Sequence, residues 1–237
     1  MATEIPVITV DGPGGTGKGT LSSYLADWLG WHFLDSGALY RVLALAAERH
    51  NIGPEDIDDL TDLGRNLNVI FKQSASAEGN SVILEGDEVT NQIRTESCGN
   101  SASRIAALPE VRQALLDRQH GFRKPPGLVA DGRDMGTVVF PDARLKIYLT
   151  ASVEERARRR YKQLKEKGFD VNLPQLSVEI TERDARDSQR TVSPLRPADD
   201  AAVIDTTHLN IEDVIDRVKD LVRDRFPGIT EKSGKHN

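Results

Sequence analysis

The sequence lacks cysteine pairs and long apolar runs. Cys98 is the single cysteine among 237 residues, so no disulfide can form within the chain, and we interpret it as a packed small side chain rather than a nucleophile. Neither an apolar leader nor an apolar stretch of membrane-spanning length is present. These absences predict a cytoplasmic protein that binds no membrane.

An excess of basic residues is also missing. Lys and Arg number 31 against 37 Asp and Glu, which gives a formal net charge of −6. This balance argues against broad electrostatic binding to nucleic acid, so the positive charge that a polyanionic ligand needs should be local. With 38% hydrophobic and 29% charged residues, the chain is predicted to be a soluble globular protein with one large domain or one domain with added lobes. Composition does not determine the oligomeric state, and we expect a monomer.

A glycine-rich segment follows the first predicted strand. Val7 to Val10 are apolar and mostly β-branched, and Leu21 to Leu29 are amphipathic, so the segment between them joins a strand to a helix. Gly12 and Gly17 are separated by four residues, and Lys18 comes next. Such a turn can surround a polyphosphate with backbone N–H groups. The predicted nucleotide-binding residues are Gly12, Pro13, Gly14, Gly15, Thr16, Gly17, Lys18, Gly19 and Thr20.

Lys18 is the predicted catalytic cation of this loop. We expect its ammonium group between the β- and γ-phosphates of the nucleotide. The general pattern places Ser or Thr directly after the lysine to contact Mg²⁺, but here Gly19 has that position and the hydroxyl comes at Thr20. An ending in Gly-Lys-Gly-Thr resembles the loops of nucleoside monophosphate kinases. Thr20 is therefore a candidate metal ligand.

A second central strand is predicted at Leu128 to Ala130. It would present Asp131, Arg133 and Asp134 at its carboxyl end, the edge where ligands of open α/β sheets bind. An acid at the end of a strand beside a phosphate loop commonly holds Mg²⁺ or its waters. The alternative for Asp131 is a carboxylate that caps a turn.

Ser152 and Glu155 predict a capping box at the start of a basic helix. Its sequence EERARRRYKQLKEK contains seven cations and three anions. We interpret it as part of a short lid, about 154–170, that closes over the donor phosphates, the alternative being a solvated face. The sequence leaves open which of three arginines points inward: Arg156, Arg159 or Arg160.

Arg183, Asp187 and Arg190 are spaced by four and then three residues, which places them on one face of the next predicted helix. One interpretation is a surface ion pair worth about a few tenths of a kcal/mol. The other is a site in which the arginines meet phosphate or ribose oxygens and Asp187 meets a ribose hydroxyl.

The order of elements predicts an α/β fold with a mainly parallel five-stranded sheet flanked by helices. Apolar residues at Asn68 to Lys72 and Ser81 to Leu84, separated by QSASAEGN, predict a hairpin. We interpret it as a small antiparallel insert, although an ordinary surface hairpin would have the same composition.

Four motifs closely resemble those of bacterial cytidylate kinases, over nearly the whole chain to about Phe226: GPGGTGKGT, LDSGALYR, DGRDMGTVVFPDA and ERDARDSQR. The segment DGRDMG is the most specific, because adenylate kinases share the phosphate loop without it. The resemblance implies a P-loop kinase core at 1–35 and 125–227, a CMP-binding lobe at 36–124 with the insert at about 68–90, and a tail at 228–237. It also implies transfer of the γ-phosphoryl group of ATP, with Mg²⁺, to CMP or dCMP.

The resemblance further implies roles for individual side chains. The phosphate of CMP would be bound by Ser36, Arg41, Arg133 and Arg190. Its ribose would be bound by Arg183 and Asp187, and its base by Ser103, Arg112 and Asp134. The implied catalytic residues are Lys18, Asp131, Arg133, Arg183 and Arg190. Arg41 would otherwise be interpreted as an ordinary surface arginine.

Other functions stay open at this point. The acceptor could be AMP, UMP or shikimate on the same core. A nucleotide-dependent switch is a second class, although the guanine signature Asn-Lys-x-Asp and the ABC-type signature are both absent. The motifs contain no serine, cysteine or histidine triad, and an acceptor phosphate that is already anionic needs no strong general base.

Overall fold

The computed structural model describes residues 5–72, 81–166, 168 and 170–229. The chain divides into two compact units: the first is Met1–Asp35 with Gln119–Asn237, and the second is Ser36–Arg118. None of the described helices is long and apolar enough to cross a membrane. The assignment of the second unit to CMP binding stays a prediction.

The elements follow one another in a mixed order of strands and helices. The strands are β1 (Val7–Asp11), β2 (His32–Asp35), β3 (Val69–Lys72), β4 (Ser81–Leu84), β5 (Asp87–Glu88), β6 (Leu128–Asp131), β7 (Leu145–Thr150) and β8 (Ala202–Asp205). The helices are α1 (Lys18–Leu29), α2 (Ser36–Arg49), α3 (Ile57–Arg65), α4 (Glu96–Ile105), α5 (Pro109–His120), α6 (Val153–Glu166), α7 (Leu173–Ser188) and α8 (Ile211–Arg225).

The first unit contains a five-stranded sheet in the order β2-β6-β1-β7-β8. All four strand pairs are parallel, which confirms the predicted fold class. All five residues of β1 are buried, as expected for a central strand with helices on both faces. Ile8 and Val10 belong to one apolar cluster with Leu21 of α1 and Val218 of α8.

Acidic residues lie at the carboxyl edge of this sheet. Asp11, Asp35 and Asp131 are the last residues of three strands that are neighbours in the sheet. The register pairs Asp35 with Asp131 and Val10 with Asp131. Because parallel strands end at the same edge, the segments that follow these acids begin close together.

The second unit has its own apolar core, in which Leu39 and Leu43 of α2, Leu60 of α3 and Leu115 of α5 are fully buried. The predicted hairpin is confirmed: β3 and β4 are antiparallel, with Val69 opposite Leu84. Its connection QSASAEGN lies outside the described residues. A third strand, β5, pairs with β4 and was not predicted, because two exposed acidic residues carry no strand pattern.

Candidate active site

The predicted phosphate loop connects β1 to α1. Gly12, Gly15 and Gly17 have positive φ angles of 140°, 83° and 93°, which side-chain-bearing residues rarely adopt. A Cβ atom on Gly12 would also collide with the carbonyl oxygen of Leu149 on β7. The glycines at these positions are therefore required by the path of the backbone.

Lys18 begins α1 and is 6% exposed. Its Nζ donates to the carbonyl oxygen of Pro13 at 2.9 Å, and the Thr16 hydroxyl donates to the same oxygen at 3.1 Å. Burial and then the charge of Arg133 lower the pKa of Lys18 to about 8, against the opposing effect of Asp131. The ammonium group thus lies inside the loop, on an oxygen that an anionic ligand could replace.

Asp131 ends β6 and is 8% exposed. Burial raises the pKa of Asp131 to about 7 against the charge of Lys18, and Asp35 adds to the rise. Its Oδ2 atom is 3.6 Å from where a Cβ on Gly19 would lie, so the carboxylate faces the phosphate loop. Within the described residues this carboxylate forms no hydrogen bond or ion pair, so the turn-capping alternative has no support there.

Arg133 and Asp187 form the central ion pair of the site. The Nε atom of Arg133 donates to Oδ2 of Asp187 at 3.0 Å. Burial alone would lower the pKa of Arg133, but the facing carboxylate of Asp187 holds it above its usual value. Nη2 of Arg133 is 3.7 Å from where a Cβ on Gly14 would lie, so the guanidinium also borders the phosphate loop.

Three arginines interact electrostatically with Asp187. It is 4% exposed, and burial would raise its pKa, but Arg133, Arg183 and Arg190 together hold the pKa of this carboxyl below its usual value. Arg190 also donates from Nε to the main-chain oxygen of Asp187 at 3.2 Å. The interpretation of Arg183 and Asp187 as a surface ion pair is therefore wrong, because Asp187 is buried and its partner set extends to another segment.

The basic helix α6 turns one arginine inward. Arg156 is 3% exposed; it donates from Nη1 to the carbonyl oxygen of Gly14 at 3.2 Å and pairs with Asp184 of α7. Arg159 instead donates from Nη2 to the carbonyl oxygen of Thr206 at 2.6 Å. The buried residues Ala157 and Leu164, seven positions apart, mark the inner face that Arg156 borders.

Two further predictions concern this helix. Ser152 does accept from the N–H of Glu155 at 3.2 Å, but the Glu155 carboxylate pairs with Arg158 and Arg159, so the contacts support only half of the predicted capping box. The predicted lid range includes residues 167 and 169, which lie outside the described residues. Lid closure stays a prediction.

In the second unit, the predicted phosphate-binding residues are Ser36, which is 3% exposed, and Arg41, which is partly buried. Arg41 donates from Nη1 to the carbonyl oxygens of Ile93 and Thr95 at 2.6 and 2.9 Å. These hydrogen bonds exclude the interpretation of Arg41 as an ordinary surface arginine.

The predicted base-binding residues of this unit are also buried. Ser103 is 4% exposed and Arg112 is 8% exposed. Arg112 donates from Nη1 to the carbonyl oxygen of Ala106 at 3.0 Å, and its guanidinium carbon is 5.7 Å from the ring centre of Tyr40. Buried polar side chains held in this way are suited to selective hydrogen bonding.

Two acidic residues complete the first unit's site. Asp134 is 2% exposed and follows Arg133 in the loop after β6. Asp11 was not predicted as a site residue, yet its Oδ1 and Oδ2 accept from the N–H groups of Met135 and Gly136, each at 2.8 Å. Its position at the end of the fully buried strand β1 was the available signal. Thr20, by contrast, is exposed.

Comparisons with known proteins identify one family. The family model described as cytidylate kinase matches residues 8–224. A cytidylate kinase of Nitrosococcus oceani is 61% identical over 218 residues, which cover 92% of this chain and 96% of that protein. Cytidylate kinases of Shewanella frigidimarina and Stutzerimonas stutzeri are 59% and 58% identical, covering 94% and 95% of this chain and 97% and 98% of those proteins.

The charge balance around Asp187 leads to a prediction about stability. Because the neighbouring arginines hold the pKa of Asp187 below its usual value against the effect of burial, its carboxylate stabilises the fold at neutral pH, and this contribution is lost as the pH falls through the lowered pKa. We expect Asp187→Asn to lower the free energy of unfolding by about 2 kcal/mol at pH 7. Urea titrations should show a smaller difference from the wild type below about pH 4.

The matched control is Asp199→Asn, which makes the same change at an exposed position. We expect it to alter the free energy of unfolding by less than about 0.5 kcal/mol at either pH. A difference between Asp187→Asn and the wild type that stayed constant from pH 7 down to pH 3 would contradict the assigned role of the carboxylate.

Proposed function

Because this chain belongs to the cytidylate kinase family, we propose that it transfers the γ-phosphoryl group of MgATP to CMP or dCMP, giving CDP or dCDP. The observation that carries this proposal is the family match over residues 8–224, which includes the phosphate loop and the segments holding Arg133 and Asp187. The transfer is direct and in line, without a covalent enzyme intermediate.

The acceptor needs little chemical activation. A nucleoside monophosphate is already anionic at neutral pH, so its phosphate oxygen can attack without a strong general base. The main barrier is the repulsion between two polyanions and the loss of freedom on aligning them. Positive side chains in fixed positions lower both costs.

In this mechanism, the ammonium group of Lys18 contacts the donor phosphates and neutralises their charge during the transfer. In the free protein its Nζ donates to the carbonyl oxygen of Pro13. A bound polyphosphate replaces that oxygen, and its negative charge raises the pKa of Lys18 from about 8, which keeps the ammonium group protonated. Lys18 can then neutralise charge on the transferring group without moving far.

Arg133 contributes to both substrates. Its Nε is committed to Asp187, while Nη2 borders Gly14 of the phosphate loop. We assign it to the acceptor phosphate and to the transferring group. Arg183 and Arg190 also interact electrostatically with Asp187, and they supply further positive charge to the acceptor phosphate and ribose.

The cytosine base presents an amino donor, an acceptor nitrogen and a carbonyl oxygen. We assign its recognition to Ser103, Arg112 and Asp134, and the acceptor phosphate also to Ser36 and Arg41. The burial of Ser103, Arg112 and Asp134 supports this assignment, since buried polar side chains in fixed positions favour a base whose hydrogen-bonding groups match theirs. The family supports ATP as the donor.

The residues at the phosphate loop fit Mg²⁺ that enters with the nucleotide. Asp131 offers a buried carboxylate without a hydrogen bond among the described residues, and hard cations prefer such oxygen ligands. In the same residues, no group of three His, Cys, Asp or Glu side chains could form a complete metal site. We therefore assign Asp131 as a direct or water-mediated ligand, with Thr20 as a second candidate. Bound Mg²⁺ would supply charge neutralisation on the phosphates.

A panel of acceptors tests the proposed function. Initial rates of ADP formation at fixed MgATP should be highest with CMP and dCMP and much lower with UMP, AMP and shikimate, because the assigned base site matches cytosine. A preference for AMP would overturn the cytosine assignment. Tight ATP binding with slow turnover on every acceptor would favour a nucleotide-dependent switch instead.

Lys18→Met tests the phosphate loop. The variant removes the charge but keeps an unbranched side chain, so we expect kcat to fall by about 100-fold or more. Lys219→Met on α8 is the matched control, since that partly exposed lysine pairs with Asp216 and lies over the ring of Trp28, and its kcat should stay within about twofold of the wild type. Near-normal turnover by Lys18→Met would remove the loop lysine from the mechanism.

Asp131→Asn tests the metal assignment. Replacing the carboxylate by an amide weakens an Mg²⁺ ligand or its water contacts, so the Mg²⁺ concentration for half-maximal rate should rise by about tenfold or more. The measurement is a rate titration with Mg²⁺ at saturating ATP and CMP, with Asp199→Asn as the control. An unchanged Mg²⁺ requirement in Asp131→Asn would contradict the assignment.

A further inference from the structure

Asp11 makes an unusual pair of hydrogen bonds for a buried acid. Its side chain is 4% exposed, and each carboxylate oxygen accepts from a different backbone N–H group, that of Met135 and that of Gly136. Both distances are 2.8 Å. A carboxylate is the side-chain group that can accept with two equivalent oxygens, whereas the amide of Asn has one acceptor and one donor.

These bonds fix one end of the loop that follows β6. Met135 begins a single π-helical turn that extends to Val139, so Asp11 holds the first N–H groups of that turn. The other end of the loop is fixed by the same strand, because the N–H of Gly132 donates to the carbonyl oxygen of Val10 at 3.1 Å. Arg133 and Asp134 are the two residues between these anchors.

The loop has little room to move at either of these two anchored ends. A Cβ atom on Gly136 would lie 2.8 Å from Oγ1 of Thr9 on β1, so the turn is in close contact with the strand. A Cβ on Gly132 would lie 2.7 Å from Cγ of Met135, so the loop is also tightly closed on itself. The position of the loop is thus set by β1, the strand that continues into the phosphate loop.

We infer that Asp11 is a positioning residue that holds Arg133 and Asp134 at a fixed place relative to the phosphate loop, and thereby sets acceptor affinity and the choice of base. This inference rests on the proposed function, in which Arg133 binds the acceptor phosphate and Asp134 faces the cytosine. Asp11 itself touches neither substrate in this role. It acts through the backbone of Met135 and Gly136.

A second role for Asp11 would be electrostatic. Its charge also acts on Lys18, which belongs to the donor site. The two roles make different kinetic predictions. Loss of a positioning residue for the acceptor loop changes KM for CMP and base selectivity, whereas loss of a charge that acts on Lys18 changes kcat and KM for MgATP and leaves base selectivity unchanged.

The experiment is steady-state kinetics of Asp11→Asn with CMP, UMP and MgATP varied separately. We expect kcat/KM for CMP to fall by about tenfold to a hundredfold, because one hydrogen bond to a charged group is lost and the amide NH₂ faces a backbone N–H. The ratio of kcat/KM for CMP to that for UMP should fall by about fivefold or more, while KM for MgATP stays within about twofold.

Val218→Ala is the matched control for a loss of stability. Val218 is fully buried in α8 and belongs to the apolar cluster of the sheet, so this variant should unfold more easily and keep the CMP-to-UMP ratio of the wild type. An unchanged CMP-to-UMP ratio in Asp11→Asn, or a change confined to kcat and KM for MgATP, would overturn the inference. Failure of the wild type to phosphorylate CMP would instead overturn the proposed function.

Amide hydrogen exchange tests the positioning role without turnover or a variant. In the wild type the N–H groups of Met135 and Gly136 should exchange as slowly as those of β1 and β6, because a buried carboxylate holds both. Exchange at the rate of exposed loop amides would overturn the inference even if Asp11→Asn did not fold. In a folded Asp11→Asn, exchange at both positions should accelerate by about tenfold or more, with Ile147 of β7 unaffected.

Discussion

Repulsion between positive side chains is the constraint on which the first unit depends. A site for phosphates must hold Lys18, Arg133, Arg183 and Arg190 near one another before any anion arrives. At short range and low dielectric, such repulsion amounts to about several kcal/mol per pair. Buried carboxylates oppose it: Asp187 lies among three arginines, and Asp131 offsets the charge of Lys18. Before substrate binds, the carboxylates are therefore needed to offset the repulsion between the cations. The cations would in turn be needed to offset the charge of bound phosphates.

Backbone oxygens complete this neutralisation in both units. Lys18 donates to Pro13, Arg156 to Gly14, Arg41 to Ile93 and Thr95, and Arg112 to Ala106. For the cations that we assign to substrate binding, association would exchange one hydrogen bond for another, so each contact would add only about 1 kcal/mol to affinity. What the arrangement preserves is geometry, since each cation is already held near its working position. Fixed geometry matters more than affinity when two anions must be aligned for transfer.

Local patterns explain which features could be predicted from the sequence. The phosphate loop, the parallel sheet and the hairpin of β3 and β4 each rest on a short run of residues whose spacing determines its conformation. The third strand of the small sheet does not, because Asp87 and Glu88 pair with β4 through backbone groups alone. The capping box at Ser152 failed in part for a related reason: Glu155 had two nearby arginines as competing partners.

Such local patterns could not predict which residues form contacts when the two partners are far apart in the sequence. Arg133 and Asp187 are 54 positions apart, and Asp11 is 124 positions from Met135. The resemblance assigned Arg133 to the acceptor phosphate and Asp187 to the ribose, as separate contacts. In the structure one hydrogen bond joins them, so a change in the charge of Asp187 alters the guanidinium that would meet the phosphate. On the proposed assignment, this hydrogen bond would couple recognition of the ribose to recognition of the phosphate, so that substituting either Arg133 or Asp187 would affect both.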